Sequence, residues 1–161
     1  DHNNIADIMN LTADILRAIK IEPILQISNI NIPKLVSSEL NIDIDLFKNG
    51  EIATLFKLNC EWLNKLIKVK DIKSLENVIK IVPVSIKAEL EKLLSKAKEV
   101  DYGNIIIAPL YYGALRYYDG IYYRVINDNL TLCNGGVYSS EGMNSLGFAL
   151  YTDNLLKILE D

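Results

Sequence analysis

Tyrosine is partitioned along this chain of 161 residues: all nine fall between Tyr102 and Tyr151, and none in the first 101 positions. Aromatic and β-branched residues suit a pleated, half-buried surface, whereas apolar residues at three- and four-residue spacing suit a helix face. The first part repeats Ile, Leu and Ala at the helical spacing, and the second is built of tyrosine-rich runs. This division predicts an α+β chain in which helices pack on an antiparallel sheet.

Asn3 or Asn4 suits the cap of a first helix, with Ile5, Ile8, Met9, Ala13, Leu16 and Ile19 forming its stripe and Pro23 stopping it. ILQIS (24–28) has strand length, and Pro33 fits the first turn of a helix over PKLVSSEL. Asn49-Gly50 reads as a turn, followed by a second amphipathic helix marked by Ile52, Leu55, Phe56, Cys60, Leu63 and Ile67. DIKSLENVI and SIKAELEKLLSKAKEV supply two more helices, the last capped by Ser85 after Pro83. Residues 1–161 are expected to form one domain, with a small helical insertion over about 43–100.

From Asn104 the grammar changes. NIIIAPLYY, ALRYYDGIYYRVI and NLTLCNGGVY read as strands, and Asn127-Asp128-Asn129 as a turn between them. After Gly147, FALYTDNLLKIL reads as a closing helix carrying Leu150, Leu155, Ile158 and Leu159 (Asn154 being the alternative to Leu155). Two readings of RYYDGIYYRV stand: a tight hairpin turning at Asp119-Gly120, or one strand whose tyrosines line a pocket. Neighbours in a strand alternate faces, so Tyr117 and Tyr118 cannot both point into the core. Gly135-Gly136 inside a strand marks either a bulge or a close backbone approach by a ligand.

Composition removes several function classes. With 50% hydrophobic and 24% charged residues the chain is a folding sequence, and its net charge of −4 argues against binding a nucleic-acid backbone. Cys60 and Cys133 lie far apart without C-x-x-C spacing, which fits a reducing cytoplasm and neither a disulfide framework nor a zinc site. His2 is the sole histidine and stands at the terminus, so a histidine-dependent nucleophile is not expected. IIIAPLYYGAL, broken by Pro109, falls short of the roughly 20 residues of a membrane span. No cationic, apolar leader opens the sequence, so no secretion signal is expected.

Short motifs yield little chemistry. DLFKNG (45–50) imitates the start of a calcium loop but has Phe47 and Phe56 where oxygen ligands belong. NGGVYSSEG matches neither a dinucleotide nor a Walker phosphate loop. Asp43 and Asp45 read as a solvated loop, and Cys60 as a core residue on a helix stripe. No metal site is expected.

The order of the pieces is more specific than any one of them. YYDGIYYRV, CNGGVYSS and LGFALYTDNLLKIL in succession resemble the end of the class II histidyl-tRNA synthetase catalytic core. There the pattern runs R-G-L-D-Y-Y-T-G-x-x-F-E, A-G-G-R-Y-D and G-F-A-x-G-x-E-R-L. The upstream helix, short strand, helix and helical insertion resemble the same core, so the likeness covers nearly the whole chain. The departures fall on charged positions. Gly113 stands for the first arginine, Arg116 for the acid before the tyrosines, and Arg124 for the glutamate after them. Val137 and Ser139 replace the arginine and acid of the glycine motif, and Asp153-Asn154 replace Glu-Arg. The first two class II motifs would stand before residue 1, which implies a fragment or a truncated paralogue.

A synthetase-like core without those cations is similar to the regulatory-subunit family of ATP phosphoribosyltransferase. The resemblance implies a non-catalytic subunit of histidine biosynthesis that needs no cofactor and pairs with the short-form catalytic subunit. It places a histidine pocket, retained or decayed, at Tyr117, Tyr118, Gly120, Gly135, Gly136 and Tyr138. Asp119-Gly120 would then be the edge of that pocket. An active synthetase and a ligand-free interaction domain are the alternatives. The partial sheet is expected to expose an apolar edge and so to self-associate or pair with a partner.

Overall fold

The computed structural model describes residues 4–113 and 117–160. His2, Asn3 (the alternative cap) and Arg116 lie outside these, as do Ala114 and Leu115 of the predicted tyrosine strand. The first helix, α1 (Ile5–Ala18), is capped by Asn4, whose side chain accepts from the Ala6 N–H at 3.2 Å. It ends before Pro23, because Lys20 takes a left-handed backbone with φ of 61° and closes the last turn. Ile24–Asn29 forms β1, and Asn31–Leu40 forms α2 with Pro33 in its first turn.

The predicted helix through Cys60 is two helices. After α3 (Asp45–Lys48), α4 (Ile52–Phe56) and α5 (Glu61–Ile67) are separated at Asn59, whose φ of 50° breaks the helical path. Cys60 therefore stands at the cap position of α5 rather than on a helix stripe, half-buried against the core. Asp71 starts α6 (Ile72–Ile79) with a capping box: its carboxylate accepts from the Ser74 N–H at 2.8 Å. Pro83, not Ser85, caps α7 (Val84–Lys98); Ser85 lies in the first turn and donates its hydroxyl to Glu39.

The sheet has five strands in the order β2-β1-β3-β4-β5, built from β1, β2 (Ile105–Ile107), β3 (Tyr118–Asn127), β4 (Leu130–Ser140) and β5 (Met143–Leu150). It is not wholly antiparallel: β2 runs parallel to β1, with Leu25 opposite Ile105 and Ile27 opposite Ile107. A parallel neighbour needs a long crossover, and α2 through α7 supply it. The sequence reading also missed β5. The segment expected to be helical up to Leu150 is a strand, and only α8 (Thr152–Leu159) follows it. The turn at Asp128, with φ of 51°, stands where expected, and a second hairpin turns at Glu141-Gly142.

Register sorts the strands into two faces. Leu25, Ile27, Tyr123, Val125, Cys133 and Gly135 are mutually paired on one face, which packs on α1 and α7. Met9, Ala13 and Leu16 of α1 and Leu90, Leu93 and Ala97 of α7 complete the buried cluster there. Tyr123 is fully buried, and its hydroxyl shares a 2.6 Å hydrogen bond with Thr12 of α1. The helices thus claim one face and leave the other for a different use.

Candidate functional site

The second face of the sheet is polar and aromatic. Gln26 and Ser28 of β1 lie opposite Arg124 and Tyr122 of β3, which in turn face Asn134 and Gly136 of β4. Ala149, Gly147 and Ser145 of β5 continue the rows, the last opposite Tyr138. The segment after β2, Ala108 to Gly113, crosses part of this face. There Tyr122 donates its hydroxyl to the Tyr111 carbonyl at 2.6 Å and accepts from the Gly113 N–H at 3.2 Å.

From Tyr118 on, RYYDGIYYRV resolves as a strand with a bulge, not a hairpin. Tyr118 pairs with Tyr138 and Tyr122 with Gly136, so three residues of β3 oppose one of β4. Gly120 takes a φ of +82°, a conformation that suits glycine, and its carbonyl accepts from the Ile30 N–H at 2.9 Å. The bulge draws Tyr118 over Tyr122, with ring centroids 5.7 Å apart and planes within 8° of parallel. Tyr117 is 57% exposed and rests on Tyr118 at 4.5 Å between centroids. Tyr138 meets Tyr117 edge-on at 6.3 Å.

Arg124 is the one arginine on this face among the described residues. Its guanidinium lies 4.0 Å from the Tyr111 ring centroid and donates to Gln26 Oε1 at 3.0 Å. Its Nε is buried and has no hydrogen-bond partner among the described residues. Burial pushes the hydroxyls of Tyr118 and Tyr122 well above the usual tyrosine range, so both rings stay neutral donors and acceptors near neutral pH.

Two small cavities open here. One of about 170 Å³ is lined by Tyr111, Gly113, Tyr118, Tyr122, Arg124, Thr131 and Asn134. The other, about 230 Å³, is lined by Tyr117, Tyr118, Tyr138, Gly147, Phe148 and Ala149. Tyr118 borders both. Gly120 lies elsewhere, in a cavity of about 510 Å³ shared with Asp119, Asn29, Asn31, Glu89 and Lys92. Burial alone would raise the Glu89 carboxyl, but hydrogen bonds from Lys92 and Asn29 outweigh it and hold the group below its ordinary value.

Tyr117, Tyr118 and Tyr138 are thus brought together, while Gly120 is set apart. Gly135 and Gly136 have a packing reason. A Cβ on Gly135 would come within 2.4 Å of the Tyr123 ring on the core face, and one on Gly136 within 2.6 Å of the Tyr118 ring on the open face. Gly135 therefore backs the core, and no bulge falls at the pair. Sequence reasoning missed Tyr111, Tyr122 and Asn134 as lining residues and Gln26 as the partner of Arg124, and counted Arg124 only as a departure. The alternation of Tyr122 with Arg124 along one strand was the available signal. No group of three or more His, Cys, Asp or Glu side chains among the described residues is placed to hold a metal.

No family model matches the chain. It is 36% identical over 149 residues to the ATP phosphoribosyltransferase regulatory subunit of Wolinella succinogenes, covering 92% of itself and 52% of that protein. Its identity to the same-named protein of Helicobacter hepaticus is 33% over 156 residues, or 97% of the chain and 55% of the relative. The chain spans about half the length of these curated relatives. Among solved structures, an ATP phosphoribosyltransferase regulatory subunit/histidyl-tRNA synthetase from Bacillus halodurans superposes over 98% of the chain and 50% of its own, with a TM-score of 0.70 at 16% identity. Histidyl-tRNA synthetase from Nostoc sp. PCC 7120 matches with a TM-score of 0.69 at 18% identity, over 96% and 46% of the two chains. A chain of the ATP phosphoribosyl transferase (HisG:HisZ) complex from Thermotoga maritima matches with 0.64 at 15%, over 92% and 61%. At these identities the structures establish the fold, a histidyl-tRNA synthetase-like class II core.

Proposed function

We propose, for a chain homologous over nearly its whole length to ATP phosphoribosyltransferase regulatory subunits, the same non-catalytic role in histidine biosynthesis. The observation that carries this reading is 36% identity sustained over 92% of the chain. The chain works beside the short-form catalytic subunit, contributes an interface, and keeps a pocket for L-histidine on the tyrosine face of the sheet. Residues 1–161 act as one domain in which about 43–100 form a helical insertion. The setting is cytoplasmic; among the described residues no helix is long and apolar enough to cross a membrane.

The loss of charge supports a subunit without synthetase chemistry. A triphosphate needs a fixed cation or aimed N–H groups. Val137 and Asn154 occupy positions where the resembling pattern has arginines, and Asn154 donates its side-chain amide to the Thr131 carbonyl at 2.8 Å. That side chain ties α8 to β4 rather than pointing a charge outward. The free side of β5, an edge of the sheet, supports self-association or a partner strand there.

Histidine-dependent exchange of pyrophosphate into ATP tests the catalytic half of the proposal. No exchange above the protein-free blank is expected. Sustained exchange would overturn it, since that reaction requires adenylation of the amino acid.

A further inference from the structure

We infer that the Arg124 cavity is a carboxylate seat, and that it holds the acid end of an amino acid lying against the tyrosines. The inference rests on the reading of this face as a small-ligand pocket and assigns its polarity. Arg124 is held from two sides, by the Tyr111 ring beneath its guanidinium and by Gln26 at one nitrogen, so its position is set before any ligand arrives. Its buried Nε–H has no acceptor among the described residues, and an unpaired donor in such a place is costly. A ligand oxygen would satisfy it.

The lining shows which kind of oxygen. Of the seven described residues around the cavity none is acidic, and Arg124 is the only charged one among them. A cation without a neighbouring acid favours an anion and disfavours an ammonium group. Tyr118 adds a second donor: its oxygen accepts from Tyr117 at 3.3 Å, which leaves its own proton free to point at a ligand. The space of about 170 Å³ is below the roughly 300 Å³ at which pockets for drug-sized ligands begin, so it suits one end of a molecule. The rest of that molecule has a place across Tyr118, in the cavity of about 230 Å³ floored by Gly147 and Ala149. A planar side chain stacked on tyrosines fits there. Where the resembling pattern carries a glutamate, this chain carries the cation, so the charge the face offers is inverted.

The chain has three arginines, Arg17, Arg116 and Arg124, so its arginine Nε–H signals in a proton–nitrogen spectrum are few. Arg124→Lys, which keeps the charge, assigns the Arg124 signal by its loss. L-histidine, L-histidinol (which lacks the carboxylate) and inorganic phosphate are then titrated into the unmodified chain. The inference expects histidine to shift the Arg124 signal and to bind about tenfold or more tightly than histidinol. It expects Arg124→Gln to remove that preference while the circular dichroism spectrum is kept. Equal binding of histidine and histidinol, or a bound histidine that leaves the Arg124 signal unmoved, would overturn it. A response to phosphate with none to histidine would overturn the amino-acid source and leave a free oxyanion. No response to any of the three would overturn the seat itself. Assembly with a catalytic subunit is measured separately, so failure of the seat and failure of the regulatory role are told apart.

Discussion

Gly135 and Gly136 stand back to back under tyrosine rings on opposite faces of the sheet, and the pair is what lets both faces be aromatic. Alanine at either position would push a Cβ into a ring, within 2.4 Å of Tyr123 for one and 2.6 Å of Tyr118 for the other. Tyr123 is fully buried with its hydroxyl bound to Thr12, so it has little room to yield. Gly135→Ala is therefore expected to lower stability by about 1–3 kcal/mol, the usual cost of overpacking, as read by thermal unfolding. An unchanged melting temperature would show that the Tyr123 ring is not held against β4. At this scale the sequence announced the tyrosines and glycines but not their pairing. Gly135 looked like a pocket residue because adjacency on the chain does not say which face each neighbour takes. Arg124 looked like a lost acid, because its partners Gln26 and Tyr111 come from distant segments that only the register brings together.

At the scale of elements, the strand β3 is the part that makes the site, and its bulge is the device. Asp119-Gly120 resembled a hairpin turn because that dipeptide favours positive φ, and the same preference serves a bulge equally well. Gly120 has φ of +82°, and the nearest atom to a Cβ placed there is Asn31 Nδ2 at 4.0 Å, so space is not the constraint. Gly120→Ala is expected to cost about 1–2 kcal/mol through backbone conformation alone. The check is chemical denaturation, where an unaltered midpoint would count against the positive φ. Helices with strong caps were legible: Asn4, one of the two residues offered for the cap of α1, takes that place, and the helix expected over DIKSLENVI forms as α6 behind Asp71. The strand β5 was not, because MNSLGFAL has few β-branched residues and takes its structure from pairing with β4. The parallel pairing of β1 with β2 was equally hidden, since a crossover of many helices leaves no local mark. The helix through Cys60 failed for a smaller reason, one left-handed residue at Asn59.

For the whole molecule, the sheet divides labour: one face carries the helices and the core, the other a tyrosine-lined surface. Burial raises Tyr118, Tyr122 and Tyr123 far above the ordinary tyrosine value of 10.0. A raised value means that the unfolded chain gives up these protons first. The stability they contribute is complete below pH about 10 and is lost as pH rises past that unfolded value toward the folded ones. Alkaline titration is thus expected to unfold the chain cooperatively, with the tyrosinate absorbance of these three rings and the loss of circular dichroism moving together. Ionisation of all nine tyrosines near pH 10 in a chain that stays folded would contradict the burial of these rings.

Sedimentation velocity of the chain mixed with the short-form catalytic subunit of ATP phosphoribosyltransferase tests the central claim most directly. A regulatory subunit predicts a faster boundary that contains both chains and grows at the expense of the free ones. Two boundaries moving at their separate rates, at concentrations where each chain is folded, would contradict it.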